Sequence, residues 1–466
     1  MATLFTLAFA LGGWRSGISR LSDNSFFWHL RTGQRILEDW VPRHDPYSFT
    51  AAGTPWVAQS WLAEALYGML DRVAGPFGIR LLGAVTGALV AALAYRLALV
   101  LAADRLRAAG LTLGAVGASF SLWSERPLFL GILALVGLLW IVEVPGSAVG
   151  RRPLVAIPVL MWLWANIHGT FALGFLYLGL HLVGRWLDGS PPWRGREGTL
   201  TRAAAVAVIA CVVNPYGPAL LLFPIDLLGR GDILRQVSEW QSPDFRKLQG
   251  VTFALWLVVF VACLALGRTR PSRRDLVVSL PFLLLALWAQ RNIALSPLVA
   301  LPVAARAVAS ATSRPELSGR LNRPLGAMLL GLGLLWTGEA VVTPDFAFDS
   351  YPVASIRFLE RENLLGRRLM TNDAWAGYLI LRWPGQRVFI DDRYDMYPPE
   401  ITYDYIRFSK TNPNWEKILD EYRIDTIVWK QGAPIVQLLD LSPDWERIHR
   451  DKLAVVYIRR GSGPQE

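Results

Sequence analysis

The stretch RRPLVAIPVLMWLWANIHG, residues 151–169, holds the pattern that decides the fold. It starts with Arg151 and Arg152, runs through an apolar stretch, and ends in Asn166-Ile167-His168-Gly169. The same alternation extends in both directions over roughly the first 340 residues. Apolar stretches are joined by two kinds of loop that take turns. One kind is arginine-rich: Arg105/Arg107, Arg151/Arg152, Arg194/Arg196/Arg202, Arg268/Arg270/Arg273/Arg274 and Arg314/Arg320/Arg323. The other carries polar and aromatic words: Asp23 to Glu64, Ser124-Glu125-Arg126-Pro127, Asn166-Ile167-His168-Gly169, Asn214-Pro215-Tyr216-Gly217 and Gln290-Arg291-Asn292. Cytoplasmic loops collect Lys and Arg. The arginine loops are therefore expected inside and the polar words outside, converging on one extracytoplasmic site.

Composition points the same way. Of the 466 residues 53% are hydrophobic and 20 are Trp, and the mean hydropathy is +0.32. That is too apolar for one soluble domain of this size and fits a polytopic membrane protein. A net charge of +10 would suggest nucleic acid in a soluble chain. Here the arginine loops supply much of it, so anionic membrane lipids are the expected partners and nucleic acid is not. The apolar stretches run at about 3–21, 76–102, 110–123, 127–144, 153–166, 169–186, 203–213, 251–267, 276–290, 293–309 and 325–342. A crossing needs about 20 residues, so the shorter stretches have imprecise ends or finish inside the bundle. The reading is an α-helical polytopic membrane domain over 1–344, about 11 transmembrane helices in the inner (plasma) membrane. The first stretch has no small-residue cleavage site before a polar mature segment and reads as a retained helix. Cys211 and Cys263 fall near opposite ends of their stretches, so no disulfide is expected, and no cysteine spacing suggests zinc.

From about residue 345 the chain becomes charged and mixed. Period-two stretches, Arg387 to Asp391 and Ala454 to Ile458, alternate with helical patterns, Val353 to Glu362 and Trp415 to Tyr422. Segment 345–466 is therefore expected to be a small extracytoplasmic α/β domain. The first outer loop, 22–75, is too polar to cross and too aromatic for a linker. Phe26, Leu30, Gly33, Leu37 and Trp40 recur at helical spacing, and Trp56 to Leu70 carries a second stripe. Both predict amphipathic helices lying in the interface plane.

Several words in this order resemble a bacterial branch of the GT-C class of integral membrane glycosyltransferases. They are Phe27-Trp28-His29-Leu30-Arg31-Thr32-Gly33, Asp45-Pro46-Tyr47-Ser48-Phe49-Thr50, Trp164-Ala165-Asn166-Ile167-His168-Gly169, Asn214-Pro215-Tyr216-Gly217 and Phe389-Ile390-Asp391-Asp392-Arg393. The resemblance covers nearly the whole chain. It implies a many-span bundle with an outer carboxy-terminal domain and a polyprenyl-phosphate-linked sugar as donor. It also implies an acidic residue just after the first span, often paired as Asp-x-Asp. Asp23 matches the first position and Ser25 departs at the second, which leaves Asp23 as the implied catalytic residue.

Such a transfer needs a base for the acceptor hydroxyl, charge to stabilise the departing phosphate, and an apolar groove for the lipid. A single displacement inverts the anomeric carbon. Asp23 is the expected base, although Ser22-Asp23-Asn24-Ser25 before a helical stretch is also a helix cap. Asp45 before Pro46 serves a site or a plain turn. Glu64 serves a site or an exposed helix face. Arg126 and Arg291 are expected to contact the donor phosphate; the alternatives are a structural pair, such as Arg126 with Glu125, or snorkelling. His168 and Tyr216 are placed with them, against a buried hydrogen bond and a simple turn. Glu239 is the second-ranked acid, against a solvated loop. Trp375, Tyr378, Asp391 and Asp392 suit acceptor contact, with turn formation as the alternative. No spacing among His29, His44 and His168 supports a metal, and no cofactor is expected. Two other readings stand beside this one. A transporter or flippase is opposed by the lack of an obvious inverted repeat and by charge at one edge. A non-catalytic glycan-assembly component is kept open by Ser25.

Overall fold

A computed structural model describes residues 2–310 and 322–461; Arg314 and Arg320 of the last arginine loop lie outside the described residues. The helices in the first part are α1 (Ala2–Gly17), α2 (Asn24–Asp39), α3 (Trp61–Ala102), α4 (Arg105–Ser119), α5 (Pro127–Glu143) and α6 (Pro153–Ile167). There follow α7 (Phe171–Leu187), α8 (Gly195–Cys211), α9 (Pro218–Gly229), α10 (Gly231–Leu234), α11 (Leu248–Leu266), α12 (Arg273–Trp288), α13 (Ser296–Ala307) and α14 (Asn322–Val342). The last are α15 (Val353–Arg361), α16 (Asp373–Arg382), α17 (Pro399–Ser409), α18 (Trp415–Glu421) and α19 (Pro434–Leu441). The chain forms two compact units. The first comprises 1–20, 70–226 and 235–345; the second comprises 21–69, 227–234 and 346–466.

In the first unit each predicted apolar stretch falls on a helix, and several helix starts have a local cause. Pro opens α5 and α6 at the first turn, where its missing N–H is tolerated. Asp104 caps α4, and Ser272 and Asp275 form a capping box on α12. Among the described residues three helices, α3, α11 and α14, have the length and apolarity to cross a membrane; α5, α6, α7, α9 and α13 are shorter apolar helices. Helix α9 follows the Asn214-Pro215-Tyr216-Gly217 word, where no apolar stretch was predicted. Helix α3 is not one span. At 42 residues it would run to about 63 Å, and it breaks at Gly75, whose φ of +64° suits glycine, just before Pro76. The spanning part is the portion after that break.

Helix α1 meets this part of α3 through two small-residue pairs. A Cβ on Gly13 would lie 2.0 Å from the Gly87 carbonyl oxygen, and one on Gly17 2.0 Å from Gly83. Gly13-x-x-x-Gly17 and Gly83-x-x-x-Gly87 therefore interlock at backbone contact, the way lipid-embedded helices associate without a hydrophobic drive. Nearby, the buried Arg80 donates to the carbonyls of Ile18 (3.1 Å) and Ala340 (2.8 Å) and to Asp345 (2.9 Å), tying the ends of α1, α3 and α14. The main core runs through α3 to α8 and α11 to α13.

The arginine-rich end holds a buried charge network. Glu143 accepts from Arg274, from Tyr177 and, at 2.7 Å, from Arg306, and Arg306 reaches Asp275 at 2.6 Å. Arg274 was expected on a lipid-facing loop. It is buried instead, because the carboxylates on α5 and α12 neutralise it. Cys211 and Cys263 are both free.

The second unit contains a four-stranded sheet of order β1-β2-β4-β3, with β1 (Leu369–Thr371) parallel to β2 (Thr426–Lys430) and the rest antiparallel, β3 being Trp445–Arg450 and β4 Ala454–Arg459. Arg387 to Asp391, predicted as a strand, makes isolated bridges only. Val388 pairs with Leu369 on one side and with Ser48 on the other, so the first-loop segment continues the sheet edge. Helix α2 differs from the predicted interfacial helix. Ser25 to Leu30 are buried on every side, whereas Leu37 is exposed and Trp40 is 70% exposed. The protein interior, not an interface plane, covers its first two turns.

Replacing Gly13 or Gly83 by Leu is expected to separate α1 from α3 and to destabilise the protein by about 1–3 kcal/mol. A lowered melting temperature in detergent, unmatched by Gly12→Leu at an open position, checks this.

Candidate functional site

Two polar clusters stand out, one in each unit. The cluster in the second unit is built around Arg393, which is 1% exposed. Its Nε and Nη2 donate to Asp391 at 2.8 and 2.6 Å, and Nη2 also donates to Asp45 at 2.6 Å. The guanidinium carbon sits 4.5 Å from the Trp56 ring centre and 5.0 Å from that of Tyr47, with Trp28 and Tyr397 at 5.7 and 6.0 Å. Asp45 also closes a turn, accepting from the backbone of Tyr47 (3.1 Å) and Ser48 (2.9 Å) and from the Ser48 hydroxyl. Asp391 further accepts from the Tyr397 hydroxyl at 3.0 Å. The carboxylates of Asp45 and Asp391 are thus occupied by structural donors.

Asp23 caps α2. Its Oδ1 accepts from the backbone of Ser25 (2.9 Å) and Phe26 (3.2 Å). Asp392 lies at the same helix end. It accepts from Trp28 Nε1 at 2.6 Å, from Asn24 Nδ2 at 3.2 Å and from the Ser25 hydroxyl. The residue standing where a second acid was expected therefore holds a carboxylate brought from 367 positions away. Helix α16 packs against this end: Gly377 N donates to Asn24 Oδ1 at 2.9 Å, and any Cβ on Gly377 would strike the Asn24 carbonyl at 2.0 Å.

Glu64 is fully buried, which overturns its exposed-face alternative. Its Oε1 meets His29 Nδ1 at 2.7 Å, and Oε2 has no hydrogen-bond partner. Trp375 and Tyr378 are buried as well. Trp375 donates to the Ser350 carbonyl at 3.1 Å, and Tyr378 packs on Phe348, Tyr351 and Trp383. Both rings are enclosed by protein in this structure.

The cluster in the first unit sits at the polar-word end of its helices. Arg126, just before α5, pairs with Glu239 at 2.6 Å. Arg291 lies over the Trp240 ring at 4.4 Å. Glu239 and Trp240 are neighbours on one 3-10 turn, Ser238–Trp240, so a single turn covers both cations. Gln290 secures that turn, donating to the carbonyls of Ser238 (2.5 Å) and Gln241 (2.9 Å). Burial would raise the Glu239 carboxyl, and Arg126 and Arg291 more than offset it, holding it below the usual carboxylate range.

His168 is buried beside the same arginines. Thr170 N–H donates to its Nδ1 at 3.2 Å, so the proton of the neutral ring belongs on Nε2. Burial, reinforced by Arg291 and Arg126, pushes the imidazole down to about 3. Tyr216 closes a turn in which its N–H donates to Asn214 Oδ1 at 2.7 Å. Among the described residues no group of three or more His, Cys, Asp or Glu side chains is arranged to hold a metal.

Sequence reading passed over Arg393, His29 and Trp240 as site-forming residues. The ring partners of Arg393, Trp28, Tyr47 and Trp56, lie more than 300 residues away in the chain, so no local signal joins them. Nothing local marks Trp240 as the cover of Arg291.

No family model and no curated protein sequence matches the chain. Solved structures do. ArnT of Cupriavidus metallidurans, bound to undecaprenyl phosphate, superposes with a TM-score of 0.55 at 14% identity, over 99% of each chain. The oligosaccharyltransferase AglB of Archaeoglobus fulgidus, in complex with an inhibitory peptide and a dolichol-phosphate, gives 0.52 at 10% identity over 91% of this chain and 69% of its own. The chain thus shares its fold with these two membrane proteins.

The neutral His168 sets a pH dependence. Unfolded imidazole takes up a proton near 6.5, whereas the folded one does so only at about 3. Acidification through this window favours the unfolded chain, so stability falls as pH drops below about 6.5. The loss of melting temperature between about pH 7 and pH 4.5 is expected to be smaller in His168→Gln than in wild type.

Proposed function

We propose that the protein is an inverting glycosyltransferase of the inner membrane that moves a sugar from a polyprenyl-phosphate-linked donor to an extracytoplasmic acceptor. The observation that carries this reading is the pair Arg126 and Arg291, set around a neutral histidine, on the fold of a protein that binds undecaprenyl phosphate. The positive-inside rule supports an outward position for this cluster and for the carboxy-terminal segment, with about 11 helices crossing.

In the proposed reaction the acceptor hydroxyl oxygen attacks the anomeric carbon. The bond from that carbon to the phosphate oxygen breaks, and the phosphate leaves with the electron pair. Arg126 and Arg291 stabilise the charge gained, Arg being suited to bidentate phosphate contact. His168, with Nε2 protonated, adds a neutral donor. Glu239 is the resting counter-ion of Arg126, and the donor phosphate replaces it. Tyr216 borders the donor region. Asp23 is the proposed base for the acceptor proton. No step is routed through Glu64, which stays a buried partner of His29.

The test is release of free lipid phosphate from polyprenyl-phosphate sugars by protein purified in detergent. Asn caps a helix about as well as Asp, so Asp23→Asn separates a structural cap from a base. It is expected to fold normally and to lose roughly 10²–10⁴-fold in turnover. Unchanged turnover would remove Asp23 from the mechanism, and donor binding without turnover in wild type would favour the non-catalytic alternative. Arg291→Ala is expected to weaken donor binding. Glu239→Gln is expected to tighten it by roughly tenfold, equivalent to about 1.4 kcal/mol, because the competing carboxylate charge is gone. Equal affinity in Glu239→Gln and wild type would rule out the exchange.

A further inference from the structure

At the arginine-rich end of the first unit, α4 and α11 enclose a cleft of about 510 Å³, within the range of small-ligand sites. Its walls are Leu111, Val259, Cys263 and Leu266, and its rim carries Arg107 and Arg268. Both cations are set by the carboxy-terminal end of α13. Arg107 Nη1 donates to the Val308 carbonyl at 2.6 Å. Arg268 lies between two anchored neighbours. A Cβ on Gly267 would sit 2.5 Å from the Ala307 carbonyl oxygen, and Thr269 donates through its hydroxyl to Arg306 O at 2.6 Å and through its N–H to Ala307 O at 3.3 Å. Leu266, at 85% exposure, leaves a large apolar surface directly beside a cationic rim.

Two guanidinia over an apolar wall match one ligand chemistry, a phosphodiester carrying acyl chains. We propose that this cleft binds an anionic phospholipid of the cytoplasmic leaflet, its phosphate between Arg107 and Arg268 and one chain along Leu111, Val259 and Leu266. A free phosphate would leave the apolar wall uncovered, and a zwitterionic lipid would bring a second cation to a cationic rim. The site lies on the arginine-loop end of the helices, where anionic lipid heads are attracted. It is independent of the reaction proposed above.

Cys263 lines the cleft, and the other cysteine, Cys211, is fully buried, so a maleimide reports on the site. Phosphatidylglycerol added to detergent-purified protein is expected to slow labelling of Cys263, whereas phosphatidylcholine and inorganic phosphate are not. Arg268→Gln is expected to weaken this protection about fivefold, the equivalent of about 1 kcal/mol for one basic residue at an anionic head. Equal protection by phosphatidylcholine, protection by inorganic phosphate alone, or wild-type protection in Arg268→Gln would each overturn the assignment. If the thiol resists labelling in bare detergent, native mass spectrometry of co-purified phosphatidylglycerol decides. Loss of the retained lipid in Arg107→Gln/Arg268→Gln supports the site, and equal retention overturns it.

Discussion

A buried guanidinium is tolerated only when acids and rings replace the water it leaves, and the second unit is organised by meeting that demand at Arg393. Asp45 and Asp391 supply the charge, and Trp28, Tyr47, Trp56 and Tyr397 supply the aromatic faces. Three of these rings and one acid come from residues 28–56; the rest come from the carboxy-terminal segment. Satisfying one cation therefore joins two parts of the chain more than 300 residues apart. The sheet follows, because the turn closed by Asp45 delivers Ser48 to Val388 and Val388 to β1. The planar fork of Arg meets both acids at once, which the point charge of Lys would not do.

That commitment sorts the acids. Asp45 and Asp391 are taken up in holding Arg393, and Glu64 is enclosed with His29. At the start of α2, Asp23 caps the helix and Asp392 accepts from Asn24, Ser25 and Trp28. The departure at Ser25 from an Asp-x-Asp pattern is met by a hydroxyl that holds a distant carboxylate.

The first unit uses arginine in two different ways. At one end Arg274 and Arg306 are locked to Glu143 and Asp275 on neighbouring helices, a buried network that fixes α5, α7, α12 and α13 together. At the other end Arg126 and Arg291 are covered by the side chains of one short turn, Glu239 and Trp240. Removing a partner from a multiply bonded buried ion pair leaves a stranded charge. A single half-exposed carboxylate is more easily exchanged for another anion. The two ends thus differ in burial, not in residue type.

Local chemistry was legible in the sequence. Apolar runs marked most helices of the first unit, because a lipid-facing helix must be apolar along its length, but they missed α9 and the first eight residues of α8. Prolines, caps and glycines marked where helices start and break, and the Asp23 cap and the Asn214 turn were both readable from neighbouring residues. The sequence did not reveal which acid serves which cation, that Glu64 is enclosed, that Trp375 and Tyr378 are sealed, or that Arg387 to Asp391 bridges without forming a strand. Those outcomes depend on pairings such as Arg393 with Asp45 and Ser25 with Asp392, across 348 and 367 residues. Residue type determines that a buried charge needs a partner, and only tertiary packing decides which partner it meets.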